Sequence, residues 1–224
     1  MKQLLICFDV DGTLVDDTVF IWQTLHTAVG TDPAERRRWS KAFWNKEISY
    51  TEWAQKDIDM WREKNVTRFD LHRYIDELKP MTGAWETLQT LYDDGHVLGI
   101  VSGSLDIVLE QVFPRWGNLF THVFLNRLVF DERHYLTGVK ATPYDIDHKA
   151  DGLREMVRLT GIPMKNTVFV GDHFNDVTVA QAAGLSIAFN SKSDELRKAA
   201  SIVTQQKDLR VIIPLIRKYA GQTA

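Results

Sequence analysis

"ICFDVDGTLVDD", residues 6–17, places two aspartates at the end of an apolar run. Leu4-Leu5-Ile6-Cys7-Phe8 reads as part of a buried strand over residues 3–8, and Asp9 and Asp11 follow it directly. Residues two apart in an extended chain point to the same side, so the two carboxylates can face one site. Like charges that close repel, and a buried carboxylate without a partner is costly. A hard, oxygen-seeking cation such as Mg²⁺ offsets both. Gly12 permits a sharp bend after the strand. The competing reading is a strand that simply runs into a helix cap.

Outward from this stretch the chain changes character. Amphipathic helices are expected over roughly 15–29, 33–45, 51–64 and 68–79, a region holding five of the seven tryptophans. Thr31-Asp32-Pro33 looks like a helix start, with Asp32 as N-cap and Pro33 in the first turn. From residue 81 short apolar strands alternate with helices. Strands are expected at Val97–Val101, Val123–Leu125, Thr167–Val170 and Ser186–Phe189, with a hairpin from Leu128–Phe130 to Tyr135–Val139. Helices are expected at Trp85–Tyr92, Leu105–Val112, Lys149–Leu159, Val177–Ala183 and Leu209–Tyr219. The rhythm implies an α/β fold, a doubly wound, Rossmann-like parallel sheet with helices on both faces. Residues 1–15 and 81–224 would form this core, and 16–80 an inserted all-helical cap.

The chain has 224 residues, enough for one large domain or a core with an inserted subdomain. A net charge of −3 argues against a nucleic-acid binder that relies on bulk positive charge. One cysteine excludes an internal disulfide, and Cys7 in its apolar strand reads as a small core residue. No apolar stretch reaches the length of a membrane span, so the expectation is a soluble cytoplasmic protein. Oligomeric state is not legible.

Ligands of doubly wound sheets bind beyond the carboxyl ends of the strands. Two further polar motifs stand at such ends. Val101-Ser102-Gly103-Ser104 leads into an expected helix, where a hydroxyl and backbone N–H groups can hold an anion. Val170-Gly171-Asp172-His173-Phe174-Asn175-Asp176 brings two more carboxylates and an amide. Asp172 can complete a metal site, whereas Asp176 can stand behind it or cap the next helix. A lysine to neutralise bound phosphate is available in Lys149, with Lys140 as a competitor.

The order of these motifs (DxDGT, then apolar-Ser-Gly, then Lys, then GDxxND) resembles the haloacid dehalogenase-like superfamily over nearly the whole chain. It is most similar to the phosphoserine phosphatase-like branch. That resemblance implies a Mg²⁺-dependent phosphatase acting on a small phosphorylated metabolite. It assigns Asp9 as the nucleophile that becomes an aspartyl-phosphate, and Asp11 as the acid and then base. It implies metal ligation by the Asp9 carboxylate, the Asp11 backbone carbonyl and Asp172. Ser102, the Gly103 N–H and Lys149 would hold the phosphoryl group, with Thr13, Asn175 and Asp176 in support.

The likeness thins at the residues that choose the leaving group. Phosphoserine phosphatases carry a glutamate where this chain has Thr18, and a cap arginine where an ungapped match places Asp57. An aromatic-rich insert, with Trp44 and Tyr50 flanking a turn, suggests a bulkier or less polar ester instead. Arg36-Arg37-Arg38 reads as a solvated run, since three consecutive residues cannot share one helix face, with an anionic partner or substrate tail as the minor reading. The alternatives are phosphoserine itself, phosphoryl transfer to an alcohol, and a non-catalytic binding protein on the same fold.

Overall fold

The computed structural model describes residues 2–16, 18 and 20–222; Asp17, the last residue of the opening stretch, lies outside them. Strand β1 (Leu5–Phe8) is buried along its whole length, as a strand covered on both faces must be. It pairs in parallel with β2 (Val97–Leu105) on one side and β5 (Thr167–Gly171) on the other. The seven-stranded sheet runs β4-β3-β2-β1-β5-β6-β7. β6 is Leu185–Phe189 and β7 is Ile202–Thr204. β3 (Phe120–Phe130) is parallel to β2, and β4 (Leu136–Lys140) closes the edge antiparallel to β3. The chain therefore winds outward from β1 through β2 and β3, then returns to the far side of β1 at β5. That reversal leaves a crevice where β1 and β5 end.

The helical insertion leaves and returns at one point. The Asp16 N–H donates to the Lys79 carbonyl and the Met81 N–H to the Leu14 carbonyl, both within hydrogen-bonding distance. Between them lie α1 (Ile21–Val29), α2 (Pro33–Trp44), α3 (Tyr50–Arg62) and α4 (Arg68–Tyr74). Asp32 caps α2 and Pro33 opens it, as the sequence predicts. Ser49–Glu52 and Thr67–Asp70 form reciprocal capping boxes on α3 and α4. Trp61, Ile58, Leu71 and Ile75 join the same apolar cluster as Leu105 and Val108, so insertion and sheet share one core. The insertion also docks on the β3–β4 hairpin, where Leu136 N–H donates to the Val66 carbonyl at 3.0 Å.

Several elements differ from the sequence expectation. α1 begins at Ile21 rather than near residue 15, because the N–H groups of Thr13, Leu14 and Val15 fold back onto the Val10 carbonyl. α4 stops at Tyr74. β3 is one long strand rather than two short ones. β2 continues through Ser102–Ser104 to Leu105, so α6 (Asp106–Val112) starts four residues after Ser102. The remaining helices are α5 (Ala84–Asp93), α7 (Lys149–Thr160), α8 (Val177–Ala182), α9 (Asp194–Ala199) and α10 (Ile212–Gln222). Cys7 is buried beside Met156. Among the described residues no helix is long and apolar enough to cross a membrane.

Asp106 opens α6 and accepts from the N–H groups of Ile107 and Leu128 at 3.0 and 3.1 Å. Burial nevertheless pushes its carboxyl up to about 6, with Glu110 adding repulsion. A carboxyl raised above its unfolded value of about 3.9 destabilises the fold once ionised. Asp106→Asn keeps the acceptor oxygen and is expected to stabilise the protein by roughly 1–2 kcal/mol at pH 7.5, allowing for partial solvent screening. The gain should shrink as pH falls from about 6 to about 4, which urea denaturation at pH 7.5 and 4.5 measures.

Candidate active site

The crevice is built around a buried lysine. Lys149, the first residue of α7, is fully buried. Its Nζ lies 2.9 Å from Asp9 Oδ1 and 2.7 Å from Asp176 Oδ1. Burial opposes its charge, but Asp176, Asp9 and Asp145 outweigh that, and its pKa is raised. The second oxygen of Asp176 accepts from the backbone N–H groups of Asp172 and His173, at 3.0 and 3.1 Å. Asp176 therefore positions both the lysine and the turn that carries Asp172. Its own carboxyl is pushed up to about 6 by burial, against the pull of Lys149.

Asp9, Asp172 and Asp176 bring carboxylate oxygens within 4.8 Å of one another. Because both Asp176 oxygens are engaged, Asp9 and Asp172 form the outward-looking pair. Burial raises the Asp172 carboxyl well above its usual range, and the charges of Asp9 and Asp176 raise it further. Thr13 steadies it, its hydroxyl donating to Asp172 Oδ1 at 3.2 Å. Two buried carboxylates held against their own repulsion suit a divalent cation, and the all-oxygen donor set fits a hard one. Gly12 is part of this fit. Its φ is +75°, and a Cβ there would run into the Asp172 carboxylate.

Asp11 faces elsewhere. Its Oδ1 accepts from the Ser104 hydroxyl and its Oδ2 from the Ile21 N–H, both at 2.7 Å. The latter satisfies the first N–H of α1, whose N-cap Phe20 has no side-chain bond to offer. Burial pushes the Asp11 carboxyl up to about 7, the two hydrogen bonds oppose this, and the charge of Asp9 adds to it. Asp11 is thus both helix cap and a group poised to exchange a proton near neutral pH.

Ser102 and Gly103 sit in a bulge, not at a helix N-terminus. Between Val101 and Leu105 the β2 chain advances four residues while β3 advances two, from Phe124 to Asn126. The Asn126 side-chain amide donates to the Gly103 carbonyl and to the Tyr50 hydroxyl, each at 2.8 Å. The Trp22 indole donates to the same Gly103 carbonyl at 2.9 Å. A Cβ on Gly103 would collide with the Asp145 carboxylate, so the glycine admits Asp145 to the site.

Above these residues lies a cavity of about 800 Å³ between sheet and insertion. Asp9, Asp11, Ser102, Gly103 and Asn175 line its floor. Trp44 and Tyr50 line its walls, together with Trp22 and Trp53. Thr18 is buried but is not among the residues that line it. Ser104, Asn126 and Asp145 were not singled out as site residues by sequence; only the proximity of Ser104 to Ser102 was a signal. Arg36 and Arg37 also line the cavity, against the expectation of a wholly solvated run, and Arg36 is only half exposed.

A doubly wound sheet carrying these carboxylates and a buried lysine at its switch point defines a hydrolase of the aspartate-dependent α/β class. The chain belongs to the haloacid dehalogenase-like hydrolase family, whose model matches residues 6–181. Within that family it falls in the phosphoserine phosphatase-like branch. It is 27% identical over 216 residues to the phosphoserine phosphatase of Methanocaldococcus jannaschii, covering 96% of this chain and 99% of that protein. It is 31% identical over 219 residues to a phosphoserine phosphatase of Mycobacterium tuberculosis, covering 97% of this chain but 51% of that longer protein. A solved phospho-aspartyl intermediate analogue of phosphoserine phosphatase superposes with a TM-score of 0.75 at 29% identity, covering 96% of this chain and 100% of that one.

Lys149→Met would leave Asp9 and Asp176 without their shared cation. The expected loss is about 3–5 kcal/mol of folding stability, measured by urea denaturation at pH 7.5.

Proposed function

We propose that this chain is a Mg²⁺-dependent phosphatase that hydrolyses a small organic phosphate monoester through an aspartyl-phosphate on Asp9. The different settings of two neighbouring aspartates carry this reading. Asp9 is ion-paired with Lys149, while Asp11 is held by Ser104 and the Ile21 N–H with its carboxyl near 7. One is suited to attack and the other to proton transfer.

In the first step a carboxylate oxygen of Asp9 bonds to phosphorus as the ester oxygen leaves, and Asp11 gives that oxygen its proton. In the second, Asp11 takes a proton from water. The water oxygen bonds to phosphorus and the Asp9–phosphorus bond breaks. Lys149, the Ser102 hydroxyl and the Gly103 N–H hold the equatorial oxygens, where charge gathers in the transition state. Asp9 and Asp172, with the Asp11 backbone carbonyl, would bind the Mg²⁺, which when bound draws charge from the phosphoryl oxygens. Thr13, Asp176 and Asn175 act as positioning residues.

Residues 16–80 act as a cap over a core of 1–15 and 81–224. Paired backbone contacts at Asp16–Lys79 and Leu14–Met81 support that division. Two features support an ester other than phosphoserine. Asp57 stands in the insertion against His26, at 3.2 Å, and the cavity walls carry Trp44 and Tyr50. Thr18 enters as the residue that stands in place of the glutamate.

Asp9→Asn is expected to abolish p-nitrophenyl phosphate hydrolysis with an unchanged circular dichroism spectrum; full activity in that variant would reject the mechanism. Trp44→Ala should reorder the preference among a panel of phosphate esters by several-fold in kcat/KM, and an unaltered ranking would remove Trp44 from substrate selection.

A further inference from the structure

The cavity is deeper than the chemistry at its floor requires. The indole of Trp22 in the first turn of α1 bonds to Gly103, so that end of the helix stands over the phosphate position. Gly30, just past the other end of α1, still lines the cavity. Eight residues of helix at about 1.5 Å each give a depth of about 12 Å. From its ester oxygen to its carboxyl carbon a serine-sized leaving group has three bonds of about 1.5 Å, so it would fill only the near part.

The far part holds a cation, Arg36, that makes no close ion pair among the described residues. Arg36 lies on the face of α2 that turns inward with Pro33, Arg37, Ser40 and Trp44. One of its terminal nitrogens donates to Gln23 Oε1. Its Nε is buried with no hydrogen-bond partner. Among the described residues no carboxylate is seen in an ion pair with it. Asp57, the acid whose charge it feels, also lines the cavity, with its Oδ1 3.2 Å from His26 Nε2. Burial accordingly lowers the pKa of Arg36, with Asp57 opposing. A half-buried guanidinium with an unused donor, and a second arginine beside it, calls for an anion of matching fork geometry.

We infer that Arg36, aided by Arg37, forms a distal anion subsite, so the substrate is an elongated phosphate monoester bearing a second anionic group at its far end. The inference rests on the phosphatase reading for the near end of the cavity. Trp22, Tyr50 and Trp53 would flank the apolar middle of such a molecule, and the distal anion would occupy the open donors of Arg36.

4-Carboxyphenyl phosphate and phenyl phosphate, the same ester with and without a distal carboxylate, test this. The native protein should favour the carboxylated ester by about tenfold or more in kcat/KM. Arg36→Gln should bring the ratio close to one, and Arg36→Lys should retain part of it. Arg38→Gln should keep the full ratio, because Arg38 stacks on Trp39 outside this cavity. Near-equal values in the native protein, or an undiminished ratio in Arg36→Gln, would overturn the subsite. Calorimetric binding of the two esters to Asp9→Asn, with and without Arg36→Gln, reads the same preference without turnover. If the native protein hydrolyses neither ester, the phosphatase reading fails alone. The ratio of affinities then still decides: a preference lost with Arg36 supports the subsite, and equal affinities reject it.

Discussion

The Lys149 ammonium, shut away from water between Asp9 and Asp176, is the constraint on which the site depends. A buried cation is tolerable only when carboxylates surround it, and those carboxylates are tolerable only because of the cation. Three elements distant in sequence must therefore meet: the end of β1, the start of α7 and the turn after β5. Asp176 extends the constraint through its second oxygen to two backbone N–H groups, which fixes where Asp172 stands. The geometry that would receive a divalent cation is thus a consequence of how one lysine is neutralised. Lys149 and Asp176 are fully buried, so their charges remain ordered before any substrate enters.

Asp11 couples this centre to the helical insertion. Its two oxygens tie β2, through Ser104, to the first N–H of α1. The same carboxyl therefore caps α1, and burial raises its pKa to about 7, as the proposed proton transfer needs. From that anchor α1, α2 and α3 each turn one stripe of side chains toward the cavity. Their shared apolar core with the sheet holds those stripes over the carboxylates. The cavity is thereby lined from two sides: the strand ends supply the carboxylates, and the insertion supplies aromatic and basic side chains.

The parts legible in sequence were those written in local signals. Asp32-Pro33 announced the start of α2, and an apolar run ending in two aspartates announced β1 and its site. Residues 12–16 were less legible, because the turn there is held by the Val10 carbonyl and the Gly12 conformation rather than by helical periodicity. Ser102–Ser104 reads as a helix start, yet hydrogen bonds with Asn126, Trp22 and Asp11 draw it out as bulged strand. The three residues of β7 and the six of α9 are too short to carry a periodic pattern of their own.

The amino-acid sequence by itself determined the family, the doubly wound sheet and the motifs that carry Asp9, Asp11, Ser102, Lys149 and Asp172. Most of them stand at a strand end or helix start, which backbone geometry brings toward the crevice, and Ser102 lies in a bulge of β2. Only the tertiary structure decided which backbone groups Asp176 holds, that Asp11 caps α1, and that Arg36 turns into the cavity. Those outcomes depend on which partner each charge meets across the fold. Burial and pairing are properties of the packed chain, and no spacing along it encodes them.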